Sequence, residues 1–125
     1  MQTDGPRILV IDDEIDTANF IKTVLEDEGY SVEIALSGPE GIDRLKGDGF
    51  EAVTLDIIMP EMDGWEVLNR IRGDENLSDT DVVVFSVLET KDAFDMASKM
   101  GVKLIPKSSG HTPLIEEIKS FSAKY

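Results

Sequence analysis

Cysteine is absent from the 125-residue chain, histidine and tryptophan occur once each, and aromatic residues make up only 6%. Without a thiol, neither a disulfide framework nor a thiolate metal site can form, which suits a reducing compartment. Positive charge is scarce as well: 12 Lys and Arg face 26 Asp and Glu, giving a formal net charge of −14. Phosphate backbones and anionic membranes attract stripes of Lys and Arg, so this balance argues against direct nucleic-acid or membrane partners. No apolar run approaches the roughly 20 residues of a membrane span. MQTDGPR, followed by the short apolar stretch Ile8 to Ile11, lacks the pattern of a signal peptide. A soluble, cytoplasmic protein is expected. Repeats, low-complexity tracts and linkers are missing too. With 41% hydrophobic residues, the whole chain, 1–125, reads as one compact domain.

What is present is a rhythm. Short β-branched runs alternate with helical patterns, as in βα units around a parallel sheet, so the fold class is α/β. The strands predicted are Arg7 to Ile11, Ser31 to Ala35, Ala52 to Leu55, Val82 to Ser86 and Val102 to Ile105. Each is short and mostly apolar, as strands covered on both faces are. Helical spacing recurs at Ala18, Ile21 and Leu25, at Ile42 and Leu45, and at Val67, Leu68 and Ile71. It recurs again at Ala93, Ala97 and Met100, and at Leu114, Ile115, Ile118 and Phe121. Ser37 with Glu40, and Asp63 with Glu66, have the spacing of capping boxes. Thr112 before Pro113 predicts an N-cap, while Gly29 and Gly101 stand where left-handed C-caps are wanted.

Chemistry gathers at the strand ends. The first strand runs into Asp12 and Asp13, the third into Asp56, the fourth ends in Ser86 and the fifth leads to Lys107. In an open parallel sheet these ends converge on one crevice, so three carboxylates, a hydroxyl and an ammonium are expected to share a pocket. Crowded carboxylates oppose one another's ionisation, so the pocket calls for a counter-charge. Oxygen donors without imidazole or thiolate select a hard cation, and Mg²⁺ suits because it keeps waters for incoming phosphate oxygens. A metal-bound carboxylate facing an ammonium is well placed to receive a phosphoryl group, with Asp56 as nucleophile. Val53 and Leu55 pack the strand that holds Asp56, and the turn containing Pro60 and Gly64 lets the following backbone curl toward an ion.

ILVIDDE (8–14), LDIIMPEMDGWEVL (55–68), VFSV (84–87) and Lys107 together resemble the signature blocks of the receiver domains of two-component response regulators, chemotaxis regulators among them. The resemblance spans nearly the whole chain. It implies a single doubly wound, flavodoxin-like sheet of five parallel strands in the order 2-1-3-4-5, with five helices. It further implies that Asp56 accepts phosphate from the phosphohistidine of a sensor histidine kinase or phosphotransfer protein. Asp13 would then ligate Mg²⁺ directly, Asp12 would position the ion through water, and the Ile58 carbonyl would be a further ligand. Ser86 would be the switch hydroxyl and Lys107 the lysine that pairs with the phosphoryl group. Phosphorylation would reshape a face formed by roughly Thr90 to Tyr125, read by a downstream protein target or by a second copy in a phosphorylation-dependent dimer. Such a protein promotes its own phosphorylation without turning over a separate substrate, and is therefore not an enzyme in the ordinary sense.

Some positions depart from the family pattern. Ser108, not proline, follows Lys107, and Pro106 precedes it, tolerable if the fifth strand lies at a sheet edge. Leu104 stands where an aromatic is common, and Val87 where a small residue is. Ile58 and Leu88 are apolar where relatives carry polar groups that position water, which predicts a long-lived aspartyl phosphate. Taken singly, Asp12 and Asp13 read equally as a helix cap, Ser86 as a turn hydroxyl and Lys107 as a surface charge. His111 reads as an exposed residue beside the last helix, and Trp65 as a partly buried packing residue. Among rivals, a haloacid-dehalogenase-type phosphatase wants an acid where Ile58 stands, and a flavin binder wants a phosphate loop where Asp12, Asp13 and Glu14 stand. A receiver-like interaction scaffold that takes little or no phosphate is the remaining alternative. The chain is either a stand-alone regulator or a piece of a longer protein.

Overall fold

A computed structural model describes residues 5–47 and 49–122 of the chain. Five strands and five helices alternate: β1 Arg7–Ile11, α1 Ile15–Asp27, β2 Ser31–Ala35, α2 Gly38–Gly47, β3 Ala52–Leu55, α3 Gly64–Gly73, β4 Asp81–Ser86, α4 Lys91–Lys99, β5 Lys103–Pro106 and α5 Thr112–Ser122. A single 3-10 turn, Lys107–Ser109, follows β5. The strands form one parallel sheet in the order β2-β1-β3-β4-β5. This is the flavodoxin-like arrangement, with β2 and β5 at the edges.

Alternation along each strand sends neighbouring side chains to opposite faces, and each face is covered by helices. Ile8, Val10, Val83, Phe85 and Ile105 pack with Ala18, Ile21 and Leu25 of α1 and with Leu114 and Ile118 of α5. On the other face, Leu9, Ile11, Val53 and Leu55 pack with Ile42 and Leu45 of α2 and with Val67, Leu68 and Ile71 of α3. Val84 and Leu104 meet Ala93 and Ala97 of α4. No helix among the described residues is long and apolar enough to cross a membrane.

The helix boundaries follow local chemistry. Ser37 Oγ accepts from the Glu40 amide at 3.2 Å, Asp63 Oδ1 from the Glu66 amide at 3.0 Å and Thr90 Oγ1 from the Ala93 amide at 3.1 Å. Each supplies an oxygen to an orphan helix amide. Glu40 reaches back to the amide of Leu36 rather than of Ser37 itself. Gly29 and Gly101 close α1 and α4 with φ of 97° and 71°, the left-handed region that glycine enters without a Cβ clash. Three boundaries differ from expectation. β4 begins one residue earlier, at Asp81, and β5 shifts by one to include Pro106, whose missing amide costs little on an edge strand. Thr112 is already helical, and the Ile115 amide donates to the His111 carbonyl, so the cap position falls on His111.

Candidate functional site

The parallel register brings distant residues together. Ile11 pairs with Leu55 across β1 and β3, and the Asp56 amide donates to the Ile11 carbonyl at 3.0 Å, so Asp12 and Asp56 leave the sheet side by side. Carboxylate oxygens of Asp12, Asp13 and Asp56 lie within 4.8 Å of one another. Asp12 and Asp56 are buried, while Asp13 is exposed at the mouth. The buried polar side chains among the described residues are Asp12, Thr54, Asp56 and Ser86. Three of these four stand at the carboxyl ends of strands, where burial of polar groups needs a purpose because it costs stability.

Lys107 enters the same pocket from beyond β5. Its Nζ lies 2.9 Å from Asp12 Oδ2 and 3.4 Å from Asp56 Oδ2. The other oxygen of each acid is held by a main-chain amide: Asp12 Oδ1 accepts from Glu14 at 2.9 Å, and Asp56 Oδ1 from Ile57 at 2.8 Å. Burial lifts the Asp12 carboxyl above its ordinary 3.8, outweighing the Glu14 amide and the Lys107 ammonium, and the Asp56 charge adds to the lift. Burial pushes Lys107 downward, yet its hydrogen bond to Asp12 and the charges of Asp56 and Asp12 carry it above its ordinary 10.5. The lysine is thus held charged between two acids.

Ser86, fully buried, ends β4, and its Oγ accepts from the Leu88 amide at 3.3 Å. The turn after Asp56 keeps Ile57 and Met59 inside and turns the Ile58 side chain out, 53% exposed. Glu61 takes a left-handed φ of 67° there, and the Gly64 amide donates to the Ile57 carbonyl at 2.8 Å. Val87 is exposed at the rim. Trp65 is partly buried between two core clusters, as expected. His111 corrects the expectation of an exposed residue: it is half-buried, its ring edge-on to Phe20 with centroids 5.4 Å apart. Glu89 escaped sequence reasoning, and Ser108 stood out only as a departure from proline, yet Ser108 Oγ donates to Glu89 Oε1 at 2.8 Å. Nineteen residues separate them, and no local pattern announces the pair.

The donor set fits a hard divalent cation. It offers carboxylate oxygens alone, gathered on one side of a cationic lysine. A flavodoxin-like sheet with such a pocket at its strand ends belongs to the class of α/β proteins whose acidic cluster fits Mg²⁺ and an aspartyl phosphate. A family model described as the response regulator receiver domain matches residues 8–119, and the chain belongs to that family of signalling switches. Over 66 residues the chain is 41% identical to the transcriptional regulatory protein TrcR of Mycobacterium tuberculosis, a match covering 53% of the chain and 26% of that relative. The receiver domain of the Francisella response regulator 1452 superposes with a TM-score of 0.88 at 26% identity, covering 96% of the chain and 98% of its own. The response regulator TrrA of Thermotoga maritima, solved in complex with Mg²⁺ and BeF, superposes with a TM-score of 0.82 at 28% identity, over 93% and 98%. The chain spans little more than a quarter to a third of the curated relatives it matches, 26% of TrcR and 36% of the Bacillus subtilis regulatory protein YkoG.

Proposed function

We propose that this receiver domain, residues 1–125, is a phosphoacceptor switch in which Asp56 takes a phosphoryl group from the phosphohistidine of a sensor histidine kinase or phosphotransfer protein. The observation that carries the reading is the convergence of the Asp12, Asp13 and Asp56 oxygens within 4.8 Å beside the Lys107 ammonium. Asp56 has one oxygen fixed by the Ile57 amide and the other turned toward Lys107, so the carboxylate is held ready for in-line attack. In the transfer, a new P–O bond forms to Asp56, the donor's bond to phosphorus breaks, and its electron pair leaves with the donor group. Lys107 balances charge on the equatorial oxygens, and Ser86 turns its hydroxyl to the acyl phosphate once it lets go of the Leu88 amide.

Asp12, Asp13, Asp56 and the Ile58 carbonyl are the residues that would hold Mg²⁺, which when bound neutralises the acids and orients phosphate oxygens. The phosphorylated state would be read on the face from Thr90 onward by a downstream protein or a second copy; residues 123–125 of that face lie outside the described residues. A transcriptional role stands in the name of the whole relative TrcR. For this chain, the net charge of −14 favours protein over nucleic-acid contacts. The test is incubation with acetyl phosphate and Mg²⁺, followed by intact-mass detection. One added phosphoryl group is expected on the wild type and none on Asp56→Asn. Failure to take up either phosphate or beryllofluoride with Mg²⁺ would leave a receiver-like scaffold in place of a switch.

A further inference from the structure

The two groups assigned to the phosphoryl oxygens stand on separate loops. Ser86 leads into the segment Val87 to Thr90 that joins β4 to α4, and its Oγ is engaged within that segment by the Leu88 amide. Lys107 opens the 3-10 turn after β5, closed by the Gly110 amide donating to the Lys107 carbonyl at 3.1 Å. Pairing of β4 with β5 ends at Ser86 and Pro106. Beyond that point the connection is carried on by Ser108 Oγ donating to Glu89 Oε1 at 2.8 Å. Lys107 sits 0.5 Å closer to Asp12 than to Asp56, 2.9 against 3.4 Å, so its ammonium must redistribute when a phosphoryl group arrives on Asp56.

We propose that Glu89 and Ser108 are positioning residues for phosphoryl transfer, their hydrogen bond clasping the Ser86 loop to the Lys107 turn so that hydroxyl and ammonium move as one unit. The inference rests on the phosphoacceptor reading of Asp56. Ser108 is bonded directly to Lys107, so displacing it moves the base of the lysine; Glu89 lies three residues beyond Ser86, in the segment that must rearrange to free the hydroxyl. An ionised acceptor makes the bond stronger than a neutral pair. Both partners are exposed, which leaves the clasp free to open and close without unfolding the core. Without it, two independent loops must reach the productive geometry together, and that ordering cost falls on the transition state.

The test measures phosphoryl incorporation from acetyl phosphate at saturating Mg²⁺, the P–O bond to acetate breaking as the bond to Asp56 forms. Ser108→Ala and Glu89→Ala are each expected to slow it about three- to tenfold, the worth of one such hydrogen bond. The double variant should be no slower than the slower single one, because both remove the same bond. Ser108→Thr, which keeps the donor, should restore the rate, and Glu89→Gln, which keeps an acceptor oxygen without the charge, should restore it in part. Calorimetric titration with Mg²⁺ alone should give affinities within about twofold of wild type for every variant, since the acids lie outside the clasp. Additive losses, unchanged rates, or losses matched by weaker Mg²⁺ binding or lower melting temperature would overturn the clasp. A wild type that takes no phosphoryl group overturns the phosphoacceptor reading and the clasp with it, whereas labelled wild type with unaffected alanine variants overturns the clasp alone.

Discussion

Lys107 is the residue on which the electrostatics of the pocket turns. Its ammonium, 16% exposed, is the cation seen against two carboxylates that are themselves only 2% and 7% exposed. Replacing it by Met keeps the apolar stem and strips the charge, leaving Asp12 and Asp56 uncompensated. Breaking a largely buried pair in this way costs about 3–5 kcal/mol at neutral pH. The cost depends on pH with a definite sign. Burial already raises Asp12 above 3.8, and losing the lysine raises it further, so the folded variant binds protons that the unfolded chain has released. Stability of Lys107→Met therefore falls as pH rises from 3.8 through the folded value of Asp12, while below 3.8 the variant and wild type converge. Urea midpoints at pH 3.5 and 7 check this, and a gap that is equal at both would exclude Asp12 as the cause. On the alkaline side the gap between wild type and variant closes again. Lys107 stands above 10.5, so the stability its pairing contributes is complete below that value and is lost as pH rises through the folded one.

Among the elements, the junction of β3 with α3 leaves little room for change. A Cβ added at Gly64 would lie 2.3 Å from the Asp56 carbonyl oxygen and 2.7 Å from Ile57 Cα, both backbone atoms that cannot swing aside. Gly64→Ala must push α3 off the strand end, at roughly 1–3 kcal/mol for an overpacked contact. Because the displaced backbone is that of Asp56, phosphoryl incorporation should fall further than in Asp63→Ala. That variant loses only the cap on the Glu66 amide, worth about 1 kcal/mol. Thermal melts together with labelling rates separate the two, and equal rates would mean that the close approach of α3 does not set the aim of Asp56. Much of this element-level design was legible in the sequence. Local signals placed the five strands, the caps at Ser37 and Asp63 and the left-handed Gly29 and Gly101 to within a residue, because periodicity and capping are written in neighbouring positions. The pocket was legible for a different reason: parallel strands bring their carboxyl ends together whatever the intervening sequence. What stayed hidden depends on contacts that no local pattern encodes. His111 is half-buried because Phe20, on α1, meets its ring. The Glu89–Ser108 bond joins two loops, and β5 takes in Pro106 because β4 extends to Ser86 beside it.

At the scale of the whole molecule, 26 acidic against 12 basic residues make the compact state repel itself, and the strand-end acids add a concentrated share of that repulsion. Two kinds of relief differ in where they act. Monovalent salt shortens the Debye length to about 10 Å at 0.1 M and weakens repulsion everywhere, so melting temperature should rise with NaCl in wild type and pocket variants alike. A divalent ion held by Asp12, Asp13 and Asp56 instead stabilises by mass action, about 1.4 kcal/mol at tenfold its dissociation constant. For a chain of this size that is a rise of roughly 3–6 °C. Melting curves with MgCl₂ against NaCl at matched ionic strength isolate the second effect, and adding a chelator should reverse it. Asp13→Asn and Asp56→Asn should keep the NaCl response and lose most of the Mg²⁺ increment, since each removes one of three gathered donors. If instead both variants gain as much from Mg²⁺ as wild type does, the ion acts as a diffuse counter-charge over the acidic surface, and the strand ends hold it no more tightly than the helix faces do.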